Sequence, residues 1–200
     1  MKNYISLGGA KIPLSDEQVA SIRAQFAPSV RLGDKAVAET AKIGEHEYIV
    51  LAHDGGSTLL LMRDFLTKMR FGDSNDFRES EVKETLEKFA DELASVVGED
   101  NIITHSVDLT ADDGLKCYGE IDARVSIFTC DLARKYVDIL DKYPVDDYWW
   151  LATPYSTPKH GESEWVKCVS PSGRIGSYSS NDINLGVRPF CILNSNIFVS

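Results

Sequence analysis

Ser80–Gly98 constrains this chain more than any other stretch. Val82, Leu86, Phe89, Leu93 and Val97 recur at helical spacing, within a stripe about 80° wide at about 100° per residue. Glu84, Glu87 and Asp91 take the opposite face. Ser80 precedes the stripe as an N-cap and Gly98 follows it as a C′ residue. Glu79–Lys83 and Glu84–Lys88 are expected to pair at i,i+4, each contributing about 0.3–0.5 kcal/mol. One amphipathic helix needs an apolar partner surface, and the rest of the chain offers mainly β-rich runs.

AKIGEHEYIVLA and STLLLM flank His53-Asp-Gly-Gly56, a hairpin signal that predicts strands near 41–43, 46–52 and 57–62. Ile102–Val107 and Val125–Phe128 read as short strands, and Thr129 as the cap of a second helix, Cys130–Leu140, with Leu132, Tyr136 and Ile139 inward. After Tyr148 the runs WWLAT, WVKCVS and VRPFCIL alternate with turn-rich segments. Helices and strands come in blocks, which predicts an α+β fold. Residues 1–35 read as a strand-helix appendage and 36–200 as one domain. In the appendage Ser15 and Gln18 form a capping box, Val19, Ile22 and Phe26 one apolar face, and Pro28 the stop.

The net charge of −10 is concentrated: residues 73–100 hold ten acidic and three basic side chains. Such a surface repels phosphate backbones, so no direct nucleic-acid binding is expected, and a basic protein partner is the natural complement. No apolar run approaches the ~20 residues needed to span a bilayer, and the N-terminus lacks a signal-like apolar core. The expectation is a cytoplasmic protein that does not engage a membrane.

Candidate chemistry is sparse. His46, His53, His105 and His160 have no metal-site spacing. Asp108, Asp112 and Asp113 before Gly114 miss the ligand spacing of a calcium loop and read as Asx-type turns. No metal and no cofactor are expected. Cys117, Cys130, Cys168 and Cys191 match no zinc pattern and are expected as free thiols. Cys130, at a helix start, is the one thiol with an argument for activation. A cysteine-dependent enzyme is the least favoured reading. Trp149 and Trp150 sit side by side, so strand alternation sends them to opposite faces.

Tyr148–Pro154 (YWWLATP), Val169–Ile175 (VSPSGRI) and Gly186–Leu193 (GVRPFCIL) together resemble an uncharacterised domain family of bacteria and their phages. Its hallmark is a W-W-L-R-S/T-P segment, then a V-x-x-x-G turn and a closing G-V-R-P strand. Gly44–Leu51, Phe71-Gly72 with Ser80, and Val107–Gly114 extend the likeness over roughly residues 40–200. Ala152 stands where that family more often has Arg. The closing segment is similar to the G-F-R segment of formylglycine-generating-enzyme-like domains, which have a C-type-lectin-like fold. The resemblance implies small antiparallel sheets flanked by two helices, and it carries no activity. The closely spaced cysteine pair of those enzymes is absent here, as are the E-P-N and W-N-D calcium motifs of sugar-binding lectins.

Two binding readings follow. In the first, a non-enzymatic, phage- or prophage-encoded module uses loops 155–165 and 176–185, with Trp150, Tyr155, Tyr178 and Arg188 as contacts for a protein or small ligand. In the second, an inhibitor of a host defence system docks a basic partner through Glu84, Glu87 and Asp91. Within the frame, Gly186 is expected to allow a positive φ or a close backbone approach, Pro189 to mark an edge or bulge, and Arg188 to meet Trp149, Trp150 or an acid.

Overall fold

The computed structural model describes residues 4–7, 10–19 and 29–200. The strands are β1 (Tyr4–Leu7), β2 (Ala10–Pro13), β3 (Val30–Arg31), β4 (Thr40–Ile43), β5 (His46–Asp54), β6 (Ser57–Met62), β7 (Thr67–Lys68), β8 (His105–Asp108), β9 (Glu120–Ala123), β10 (Val125–Ser126), β11 (Trp149–Pro154), β12 (Trp165–Val169), β13 (Ile175–Ser179), β14 (Gly186–Val187), β15 (Phe190–Asn194) and β16 (Phe198–Val199). The longer helices are α1 (Glu81–Val97), α2 (Cys130–Lys135) and α3 (Val137–Leu140). The chain is a mixed α+β fold built mostly from antiparallel sheets.

Ser15 begins the chain's first helical residues, 16–19. The capping box is formed: the Ser15 amide donates to Gln18 Oε1 at 2.9 Å, and the Gln18 amide to Ser15 Oγ at 3.2 Å. The expected apolar positions Ile22 and Phe26 and the Pro28 stop lie outside the described residues. Val30–Arg31 pair with Phe198–Val199, and Leu32 is buried in the core.

Two five-stranded sheets organise the body. The first has the order β10-β15-β6-β5-β4, the second β13-β12-β11-β14-β7. The β5–β6 hairpin turns through Gly55 and Gly56 at φ 54 and 91, a left-handed pair that needs glycine. Tyr48–Leu51 are buried on both faces, so the strand reads as a continuous apolar run. In the second sheet β11 pairs antiparallel with β12, while its contact with β14 is parallel, Trp149 opposite Gly186.

Two apolar cores result. One gathers Tyr48, Val50, Leu60, Cys191 and Trp150 with the buried stripe of α1, namely Val82, Leu86, Phe89, Ala90 and Leu93. The other gathers Ile49, Leu51, Leu61, Phe190 and Trp149 under Phe128 and the short helices α2 and α3. Helices therefore lie on both sides of the sheets.

Several expectations need correction. The helix expected over Cys130–Leu140 is broken at Tyr136 (φ −108, ψ 19), whose buried ring packs on Phe128 at 6.1 Å between centroids. The strand expected over 102–107 begins at His105, and Ile102 makes an isolated bridge to Leu193. The run VRPFCIL is split, because β14 belongs to the second sheet and β15 to the first. Pro189, which cannot donate to a ladder, lies at that switch, and its carbonyl accepts from the Met62 amide at 2.8 Å. The loop expected over 176–185 begins only after β13.

Candidate functional site

β11 carries the paired tryptophans, and all six of its residues are buried. Trp150 is 0% exposed; its Nε1 donates to the Met69 carbonyl at 2.9 Å, and its ring meets Phe71 edge-on at 5.5 Å. Trp149, at 1%, faces the other core against Phe128. Alternation sends the two rings opposite ways, as expected, but both sides of the strand are sealed. Trp150 is thus a framework residue rather than a surface contact.

Arg188 is also removed from the loop surface, being 1% exposed. Its Nε donates to the Met62 carbonyl and Nη2 to the Arg63 carbonyl, each at 2.8 Å. The expected tryptophan contact exists: the guanidinium lies 5.4 Å from the centre of the Trp149 ring. Burial pulls its pKa down to about 10, against a weak opposing pull from Asp64.

The remaining two loop residues lie on opposite faces of the second sheet. Tyr178 is half-buried opposite Val166, on the Trp150 side, with its ring 4.9 Å from that of Tyr148. Tyr155 is 48% exposed and its amide donates to the Trp165 carbonyl at 2.9 Å. Trp165 is itself 44% exposed, and Lys167, two residues on and hence on the same face, places Nζ 5.6 Å from the Tyr155 ring centre. Of the four expected contacts, only Tyr155 stands on an open surface with an aromatic neighbour.

Behind this pair lies a charged network. Lys167 is only 8% exposed, and its Nζ meets Asp112 Oδ2 at 3.0 Å. Asp112 Oδ1 accepts from Arg134 Nη2 at 3.1 Å. Burial pushes the Asp112 carboxyl up, but the hydrogen bonds and charges of Lys167 and Arg134 outweigh it and hold the group below the usual carboxylate value. Asp113 Oδ2 accepts from Ser156 Oγ at 2.6 Å and faces His160 Nδ1 at 3.0 Å. The Ser156 bond, followed by that to His160, holds its pKa low as well.

Serine, aspartate and histidine here are not arranged for nucleophilic attack. That chemistry needs the imidazole between hydroxyl and carboxylate, whereas Asp113 is the group that bridges Ser156 and His160. The bonds instead pin the loop from Tyr155 to Glu164 onto the Asp112–Asp113 turn. The Asx turns expected there are present: the Thr110 amide donates to Asp108 Oδ1 at 2.8 Å and the Leu115 amide to Asp113 Oδ1 at 3.2 Å.

The other end of that loop is held by Asn75, which is fully buried. Its Nδ2 donates to the carbonyls of Ser156 and Trp165 at 3.0 and 3.1 Å, and its Oδ1 accepts from Tyr118 Oη at 2.8 Å. Sequence reasoning missed Asn75 because it sits in a polar loop, FGDSNDF, where burial leaves no pattern. It also passed over Lys167 and Trp165 as site residues. Alternation in W-V-K-C-V puts Lys167 on the Trp165 face, opposite Val166 and Cys168, and its burial depends on the Asp112 turn, which that pattern does not report.

The thiols do not behave as an activated set. Cys130 lies at the start of α2, where its amide donates to Thr153 Oγ1 at 2.9 Å, yet burial pushes the thiol up to about 11. Burial likewise pushes Cys168 to about 11 and Cys191 to about 12, while Cys117 is exposed. The helix-start argument for Cys130 fails because desolvation wins over a helix only six residues long.

On α1, Glu84, Glu87 and Asp91 are exposed as expected. The expected ion pairs are replaced: Lys83 pairs with Glu87, and Arg124 with Asp91 at 2.7 Å and Glu99 at 3.1 Å. Among the described residues, no group of three His, Cys, Asp or Glu side chains is placed to hold a metal, and no helix is long and apolar enough to cross a membrane. No family model, curated protein or solved structure matches the chain.

Proposed function

We propose that the protein is a non-enzymatic binding module, phage- or prophage-encoded, on a C-type-lectin-like frame. Its contact surface is the open end of the second sheet, where Tyr155 and Trp165 face outward beside the loop 155–164. One observation carries this reading: two large aromatic rings are left exposed on a segment that Asn75 holds by the Ser156 and Trp165 carbonyls and Asp113 by the Ser156 hydroxyl. Rigid, exposed aromatics supply contact area at small entropic cost, which is the chemistry of a binding surface. The lectin-like assignment draws on helices flanking small antiparallel sheets and on the YWWLATP and GVRP segments. The acidic face of α1 supports a partner role less well, since Glu87 and Asp91 already have basic neighbours within the chain.

The test compares the wild-type chain with a Tyr155→Ser, Trp165→Ser double variant in cross-linking capture from bacterial lysate. A species captured by the wild type and lost in the variant, at unchanged melting temperature, is expected. Equal capture by both proteins would overturn the reading, and loss on reversing Glu84, Glu87 and Asp91 to Lys would move the site to α1.

A further inference from the structure

Arg188 poses a separate problem. Its guanidinium is buried, and buried charges are ordinarily paired with an opposite charge. None of the ion pairs among the described residues includes it. Neutral carbonyls of Met62, Arg63 and, at 3.5 Å, Tyr143 take Nε and Nη2. No acceptor among the described residues takes Nη1.

The same side chain lines a cavity of about 210 Å³ between the end of α3 and the Ser170–Gly173 turn. Trp149 forms part of its wall, Leu140, Pro144 and Pro171 are apolar, and Ser170 and Ser172 supply hydroxyls. A second groove of about 270 Å³ shares Leu140, Asp141, Val169 and Gly173 with the first and continues along Val137 and Ile175, with Arg134, already paired to Asp112 and Asp131, also in its lining. Asp141 stands where the two meet, but it is exposed, so water and salt screen its charge far more than that of Arg188.

We propose that this cavity binds a small carboxylic acid, its head on Nη1 of the Arg188 guanidinium and its short apolar chain in the adjoining groove. A charge-assisted hydrogen bond from Nη1 to a carboxylate oxygen satisfies the one guanidinium nitrogen without an acceptor among the described residues, and a buried charge gains most from such pairing. The volumes suit a head group with a chain of a few carbons. This site is separate from the Tyr155–Trp165 surface and stands or falls without it.

The probes are hexanoate, 1-hexanol and hexylamine, titrated into the full chain and followed by ¹H–¹⁵N spectra. Hexanoate should shift the Trp149 indole and Gly173 amide signals saturably, leaving the Trp165 indole unmoved. Its Kd should be at least about tenfold lower than that of hexanol, as expected for a hydrogen-bonded charge. Hexylamine binding as tightly as hexanoate would place the anchor on Asp141 and overturn the proposal, as would the absence of saturable shifts with hexanoate. Arg188→Gln should abolish the preference for the acid over the alcohol. Since Arg188 also ties the backbone, Val137→Glu on the exposed wall of the apolar groove provides a second check. It should weaken hexanoate about tenfold by repelling the acid and blocking its chain, and unchanged binding counts against the site.

Discussion

Trp149 and Trp165 lie on the same face of the same sheet, yet one is 1% exposed and the other 44%. The difference is what lies above them. Phe128, α2 and α3 cover Trp149, whereas among the described residues nothing comparable covers Trp165. Aromatic content therefore marks neither core nor contact surface by itself. The cover supplied by distant segments decides, and the two ends of β11–β12 differ accordingly: one is sealed, the other left open.

This contrast can be broken most sharply at its closed end. Trp150→Ala removes a ring fully buried in the first core against Phe71 and should cost about 3–5 kcal/mol in urea unfolding. Gly186→Ala should follow at about 3 kcal/mol, because a Cβ there would fall 2.4 Å from Phe65 Cδ1. Asp112→Asn leaves Lys167 without its counter-charge and should cost about 2 kcal/mol at neutral pH. The wild type should also lose the Asp112 contribution in acid. The folded carboxyl titrates below its unfolded value, so its stabilisation is complete above the unfolded pKa and disappears as pH falls through the depressed folded one. A variant whose acid limb matches that of the wild type would contradict this.

Smaller effects probe the open end. Asn75→Ala should cost about 1–3 kcal/mol and loosen the Tyr155–Glu164 loop, seen as faster amide exchange there. The Tyr155→Ser, Trp165→Ser double variant should change stability by no more than about 0.5 kcal/mol per site, the usual range for surface substitutions. A loss of several kcal/mol would mean that the open end is also core. Thiol titration separates the regions chemically: Cys117 should react at once in the folded protein, and Cys130, Cys168 and Cys191 only on unfolding.

Much of the frame was legible in the sequence because local chemistry dictates it. The α1 stripe with Ser80 and Gly98, the Gly55-Gly56 hairpin and the Ser15 capping box all formed where their residue types place them. Gly186 proved to be a site of close approach, to Phe65, rather than a left-handed turn. The misreadings share one cause. Packing decides them: Arg188 is drawn inside by carbonyls 45 to 126 residues away, VRPFCIL divides to meet β7 and β6, and Tyr136 breaks its helix against Phe128, none of which local pattern can report. The site suffered most, since Tyr155, Asn75, Asp113 and Lys167 meet only after the sheets have assembled.

The switch at Arg188–Pro189 has a consequence for how the chain is made. β15 fills the slot between β10 and β6, and β14 the slot between β11 and β7, so both sheets have an interior gap until residues 186–194 arrive. On the ribosome, β6 and β11 would wait with open ladder edges until residues 186–194 leave the exit tunnel. Such edges recruit other strands. A nascent chain stalled with residues 186–194 still inside the tunnel should thus depend on chaperones far more than one stalled once they have emerged.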